Sequence, residues 1–229
     1  MTIKACVFDA YGTLFDVAAA AREAATEPGR EAFAEHWRKL AADWRLKQLQ
    51  YTWLRAVAGA HTDFWEVTQN GLDWAMEASG LGGDAELRER LLALYFELSA
   101  YPEVPKMLAA LKQDGFATAI LSNGEPGMLD GAVQSAGVGG YLDAVLSVEE
   151  VGVFKPHRSV YEMVGQRFGT APDEVFFVSS NGWDAAHATG FGFTTAWVNR
   201  AQEPMDRLPW TPAHVLPDLT TIPDLVKAR

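Results

Sequence analysis

Short apolar runs at residues 4–8, 117–121, 144–146, 175–178 and 194–198, each closed by polar or turn-forming residues, restrict this chain most. Apolar runs of this length without alternation fit strands buried on both faces of a sheet. The segments between the later runs (127–136, 159–168 and a shorter 183–189) are long enough to be helical crossovers. The pattern predicts a parallel α/β sheet whose first strand stops at Asp9, where Tyr11-Gly12-Thr13 punctuates like a loop.

Between the first and second runs, residues 16–100 have helical patterning and no strand pattern. The expected organisation is a core from residues 1–15 and 101–229, with an all-helical cap inserted at 16–100. Within the insert, Trp37, Leu40, Ala41, Trp44 and Gln48 follow helical spacing, and Leu46, Leu49 and Trp53 form a second line, which predicts a helix packed on two sides. Gly59-Ala60, residues 80–84 and Tyr101-Pro102 mark the breaks. A chain of 229 residues buries enough surface for two unequal lobes.

Composition removes several function classes. The net charge of −11 argues against nucleic acid or anionic lipid as a partner, because both need clustered Lys and Arg. No apolar run approaches the roughly 20 residues of a membrane span, and residues 1–10 lack a signal-peptide pattern, so a cytoplasmic address is expected. The single cysteine, Cys6, supports neither an intramolecular disulfide nor a thiolate metal cluster.

In open α/β sheets, ligands gather beyond the carboxyl ends of the strands. The polar residues there are Asp9 and Thr13, Ser122-Asn123-Gly124, Lys155-Pro156, and Ser179-Ser180-Asn181-Gly182-Trp183-Asp184. Asp9 is placed to aim a carboxylate into a crevice, and is equally an ordinary turn residue. Thr13 can donate to it or cap a helix. The backbone N–H groups at 122–124 can cradle an anion at a helix start, with the Ser122 hydroxyl as a further donor, or simply form a turn. Lys155 can keep a carboxylate ionised, and Asp184 can pair with it or merely favour a helix dipole.

Taken together and in order, these segments resemble the four motifs of the haloacid dehalogenase superfamily: Phe8 to Leu14, Leu121 to Gly124, Lys155-Pro156 and Ser179 to Asp184. The resemblance implies a Rossmann-like core with helices on both faces and a helical cap. Most members are phosphatases, and this chain departs from them. Tyr11 stands where they have a second, acid–base aspartate, and the fourth motif has only Asp184 where they have two neighbouring acids for magnesium. Trp44 to Arg55 is similar to the cap-helix signature of the L-2-haloacid dehalogenases.

That resemblance implies hydrolysis of a small 2-halocarboxylate, with inversion, through an ester on Asp9 and with no metal or other cofactor. Thr13, Lys155, Ser179, Asn181 and Asp184 complete the implied catalytic set, Asp184 activating water. Arg45, on spacing alone a surface residue beside an apolar stripe, matches the halide-binding arginine, and Asn123 and Trp183 match the rest of the halide cradle. Tyr11, Leu49, Phe64, Ser122 and Tyr161 are the substrate-side residues, Tyr161 reading also as a packed helix aromatic. The family is commonly dimeric, so a homodimer is the implied assembly. The alternatives are a magnesium-dependent phosphatase or phosphonate hydrolase on the same fold, and a non-catalytic member that binds an anion or a protein.

Overall fold

The computed structural model describes residues 2–228, so Met1 and Arg229, the outermost residues of the expected core, lie outside the described residues. Six strands form one parallel sheet: β1 (Ala5–Phe8), β2 (Ala117–Ser122), β3 (Ala144–Ser147), β4 (Val175–Ser179), β5 (Thr194–Val198) and β6 (His214–Leu216), in the order β3-β2-β1-β4-β5-β6. All the expected strands are present. β6 was not expected: it has three residues, and Val215 at its centre is 48% exposed, so this edge strand has no apolar run to betray it. β1 is fully buried between β2 and β4, and burial pushes the Cys6 thiol up to about 12.

From β1 the chain builds outward through β2 and β3, then crosses back to β4 on the other side of β1. Right-handed crossovers place α6 (Val104–Gln113) and α7 (Pro126–Ser135) on one face, and α8 (Arg158–Phe168) and α9 (Gly182–Phe191) on the other. The strand order reverses between β1 and β4, which opens a crevice at their carboxyl ends. A last helix, α10 (Ile222–Lys227), packs on α6. Among the described residues, no helix is long and apolar enough to cross a membrane.

Residues 16–100 contain α1 (Ala19–Ala24), α2 (Glu31–Ala34), α3 (Trp37–Ala58), α4 (Phe64–Ala78) and α5 (Ala85–Phe96). The ends of this stretch are tied together: Asp16 N–H donates to the Ser99 carbonyl at 2.9 Å, and Tyr101 N–H to that of Leu14 at 3.0 Å. α3 ends at Gly59, whose φ of 63° is the left-handed C-cap that glycine adopts freely. Asp63 and Asp84 cap the next two helices by accepting from the N–H groups of Glu66 and Leu87.

The first predicted line of α3 is buried against α4. Trp44 Nε1 donates to the Thr68 carbonyl at 2.8 Å, and Gln48 Nε2 to Thr68 Oγ1 at 2.9 Å. The second line differs from expectation: Leu46 is 49% exposed. The seam toward the core is instead Arg45, Leu49 and Trp53, spaced four residues apart. Leu46 lies about 100° further round the helix and faces solvent.

Candidate active site

Asp9 sits where β1 ends, at the β1–β4 crevice, and is 6% exposed. Its Oδ1 accepts from Lys155 Nζ at 3.1 Å, and its Oδ2 from Thr13 Oγ1 at 3.0 Å and Asn181 Nδ2 at 3.1 Å. The tight turn after β1 brings Thr13 back over the strand end. Gly12 adopts φ 87° there, and a Cβ on it would stand 2.9 Å from Ser180 Oγ. Thr13 caps no helix; its hydroxyl accepts from Ser180 N–H at 2.8 Å and lies 3.2 Å from Ser180 Oγ. Ser179 Oγ accepts from Asn181 N–H at 3.1 Å and so fixes the loop that presents the Asn181 amide.

Lys155 is 1% exposed and also donates to Asp184 Oδ2 at 2.8 Å, so one ammonium joins two carboxylates. Burial is the strongest single influence on Lys155 and pulls its pKa down. The charges of Asp184 and then Asp9, with their hydrogen bonds, outweigh it and hold the ammonium above its ordinary value. Asp184, fully buried in the first turn of α9, accepts from the Tyr161 hydroxyl at 2.8 Å through Oδ1. Desolvation lifts its pKa, against the attraction of Lys155. Tyr161 therefore lies behind Asp184 and packs against Phe177, Phe191 and Phe193, as a packed helix aromatic does.

Arg45 reaches this cluster from α3, donating through Nη2 to the Tyr11 carbonyl at 3.2 Å and to Asn181 Oδ1 at 3.3 Å. The Tyr11 ring is stacked between Phe64, at 5.8 Å, and Tyr95, at 5.6 Å. Its hydroxyl is buried without a partner among the described residues, and burial sends its pKa well above 10.0. Asn123 Oδ1 accepts from Lys155 N–H at 2.9 Å, which orients the amide and leaves its Nδ2 hydrogens as donors. Trp183 meets Trp53 edge-on at 5.3 Å, its indole N–H buried and unpartnered among the described residues. Leu49 is half-buried on α3 between Arg45 and Trp53.

The anion cradle expected after β2 is only partly available. Ser122 Oγ accepts from Gly124 N–H at 3.0 Å, and the Glu125 carboxylate takes the Gly127 and Met128 N–H groups at the start of α7. Pro126 has no N–H, so the first turn of that helix is already satisfied by its own cap. The sequence reading also missed Ser180, Tyr95 and Gly124. Ser180 stood within a quoted motif, but serine carries no positional signal. A Cβ on Gly124 would stand 2.7 Å from Tyr11 Cε2, a close approach visible only in three dimensions.

Magnesium serves many proteins with this kind of site, and the residues here do not fit it. A hard cation wants several oxygen ligands, preferably charged. Asp9 and Asp184 already share the Lys155 ammonium, and no group of three His, Cys, Asp or Glu side chains among the described residues is placed to hold a metal.

A parallel sheet with a buried carboxylate–ammonium–carboxylate row at its switch point defines the class: a Rossmann-like α/β core built around a strand-end aspartate. The profile of haloacid dehalogenase-like hydrolases matches residues 3–192. (S)-2-haloacid dehalogenase 1 of Pseudomonas sp. (strain CBS-3) is 43% identical over 224 residues, covering 98% of this chain and 96% of that protein. The (S)-2-haloacid dehalogenase of Pseudomonas sp. (strain YL) is 40% identical, covering 97% and 94%. The solved L-2-haloacid dehalogenase of Xanthobacter autotrophicus with chloropropionic acid covalently bound superposes with a TM-score of 0.88 at 38% identity, covering 99% of both chains. The chain belongs to the haloacid dehalogenase-like hydrolase family.

Proposed function

We propose that this protein hydrolyses the carbon–halogen bond of small L-2-haloalkanoic acids, giving the D-2-hydroxy acids by inversion, with Asp9 as nucleophile and no metal. The observation that carries the reading is the division of donors on Asp9. Oδ2 is held by Thr13 and Asn181, whereas Oδ1 accepts only from Lys155 and keeps the freer lone pairs. Oδ1 attacks the carbon bearing the halogen, an ester C–O bond forms, and the C–X electron pair leaves as halide. Arg45, the Asn123 amide and the edge of Trp183 receive the departing charge.

Water then adds to the ester carbonyl. Negative charge builds on Oδ2, where Thr13 and Asn181 already donate. Asp184, made more basic than an ordinary carboxylate by burial, takes the water proton, with Lys155 and Tyr161 holding it and Ser179 holding the Asn181 loop. The Cγ–Oδ1 bond then breaks, the departing alkoxide takes the second proton of the added water, the first passes from Asp184 to solvent, and Asp9 is restored as a carboxylate. The substrate carboxylate lies near Ser122 and the backbone N–H of Asn123, and Tyr11, Leu49 and Phe64 line the apolar side. Residues 16–100 act as a cap that excludes water during attack.

The phosphatase reading fails on Tyr11. A phosphatase needs an acid–base carboxylate there, and this phenol is stacked between two rings with its pKa driven well above 10.0. A cytoplasmic address and a homodimer belong to the same proposal, the exposed Leu46 and Leu54 of α3 supporting the second. The test is halide release from L- and D-2-chloropropionate in EDTA, with wild type and Asp9→Asn. Release from the L isomer alone, lost in the variant, is expected. No release from either isomer by wild type would sink the assignment.

A further inference from the structure

Beside the Asp9 centre lies an open groove of about 630 Å³, a volume typical of small-molecule clefts. Trp53, Ala56 and Val57 of α3 form one wall, and Phe154, Pro156 and Trp183 the other. Its place relative to the reacting carboxylate follows from chain geometry. Phe154 and Pro156 flank Lys155, whose ammonium holds Asp9, and Trp183 directly precedes Asp184. On α3, Arg45 stands over the cluster and Trp53 is two helical turns further on, so the seam runs about 12 Å along the helix from Arg45 to the groove wall. Trp53 and Trp183, in edge-on contact at 5.3 Å, both line the groove.

The chemistry of the groove is one-sided. None of its lining residues is Asp, Glu, Lys or Arg, so a second charged group entering it would lose water without gaining a partner. Its polar members are His157 and His187, and His187 Nδ1 is already committed to the Trp183 carbonyl at 2.7 Å. Val57 is 89% exposed, an apolar side chain in water at the groove wall that covering by an alkyl chain would stabilise.

We propose that this groove is a substrate subsite that takes the alkyl tail of longer 2-halocarboxylates, the tail leaving the Asp9 centre along Trp183. The subsite rests on the dehalogenase reading above and names the substrates that extend it, 2-haloalkanoic acids whose chains run well past three carbons. The carboxylate and halogen stay at Asp9, and the tail runs past Trp183 into the apolar surroundings of the groove.

The test compares L-2-chloropropionate with L-2-bromooctanoate in wild type and in Ala56→Phe, which fills the groove from α3 without touching the Asp9 cluster. The expected result is a KM for the octanoate about tenfold higher in the variant, with 2-chloropropionate kinetics unchanged. Halogen-free octanoate provides a second reading: it should inhibit wild-type turnover of 2-chloropropionate at least tenfold more tightly than propionate, and the variant should lose that difference. A smaller variant, Val57→Ser, keeps the proposal testable if the phenylalanine disturbs folding, and should weaken octanoate inhibition alone. Turnover of 2-chloropropionate with no chain-length discrimination, or with discrimination untouched by both variants, overturns the subsite and leaves the dehalogenase reading standing. Failure of wild type on every halocarboxylate overturns both.

Discussion

Lys155 and Asp184 form an ion pair of 2.8 Å in which neither side chain reaches solvent, one being 1% and the other 0% exposed. The same ammonium lies 3.1 Å from Asp9, so it is the cation that lets two buried carboxylates coexist. Removing one partner of such a pair leaves the other as an uncompensated buried charge, at a cost of about 3–5 kcal/mol. Lys155→Met is therefore expected to lose activity and to be destabilised by about that amount in urea unfolding. A stability change under about 1 kcal/mol would mean that water, not Lys155, compensates the carboxylates.

The same pair sets the pH behaviour. Lys155 has a folded pKa above its ordinary 10.5, so its ion pairs contribute fully below pH 10.5 and that contribution is lost as pH rises through the higher folded value. Asp184 is shifted upward from 3.8, first by desolvation, so it takes up a proton at higher pH than an unfolded carboxylate does and then cannot serve as the proposed base. The expected kcat profile has an acid limb above pH 3.8 and no loss from Lys155 until beyond pH 10.5. Measuring kcat against pH with L-2-chloropropionate checks both limbs. An alkaline limb well below 10.5 that disappears in Lys155→Arg would contradict the assignment.

Gly124 allows the Tyr11 ring to lie against the backbone after β2, and any side chain there would meet Tyr11 Cε2 at 2.7 Å and Leu129 Cδ2 at 3.0 Å. The ring cannot retreat easily, because Phe64 and Tyr95 stack on its two faces. Gly124→Ala is expected to cost about 1–3 kcal/mol, the usual range for overpacking. At this chain length that lowers Tm by about 2–4 °C for each kcal/mol. Activity should fall further than stability, since Tyr11 carries the carbonyl that Arg45 grips. Unchanged melting and turnover would show that the ring has somewhere to go.

What the sequence revealed and concealed follows from range. Unbroken apolar runs report a strand buried on both sides whatever its neighbours, so β1 to β5 were legible, whereas β6 owes its place to β5 and carries an exposed Val215. Asp9, Thr13, Lys155 and Asp184 lie directly after strands or in short loops at one end of the sheet, and topology alone gathers them. The second face of α3 was misread because Leu46 is apolar while the inward residue beside it is the charged Arg45. Periodicity counts hydrophobicity, and a charged arginine on the inner face inverts the count. Of the N–H groups at 122–124, that of Gly124 is taken by Ser122 Oγ, and Glu125 takes those of Gly127 and Met128, bonds that depend on local geometry and not on residue order.

The donor arrangement on Asp9 predicts the path of the solvent oxygen. On the proposed reading, in which Oδ1 attacks the substrate while Thr13 and Asn181 hold Oδ2, the second step is addition of water at the Asp9 carbonyl carbon. In a single turnover with enzyme in excess in oxygen-18 water, the product hydroxy acid should carry its hydroxyl oxygen from Asp9 and remain unlabelled. The peptide containing Asp9 should gain the label and pass it to product only in a later turnover. Direct attack of water on the substrate carbon also inverts configuration, so stereochemistry alone does not separate the two routes. It would place the label in the first product and leave Asp9 unlabelled. That result would reduce Asp9 to a base and move the nucleophile to a water held by Asp184.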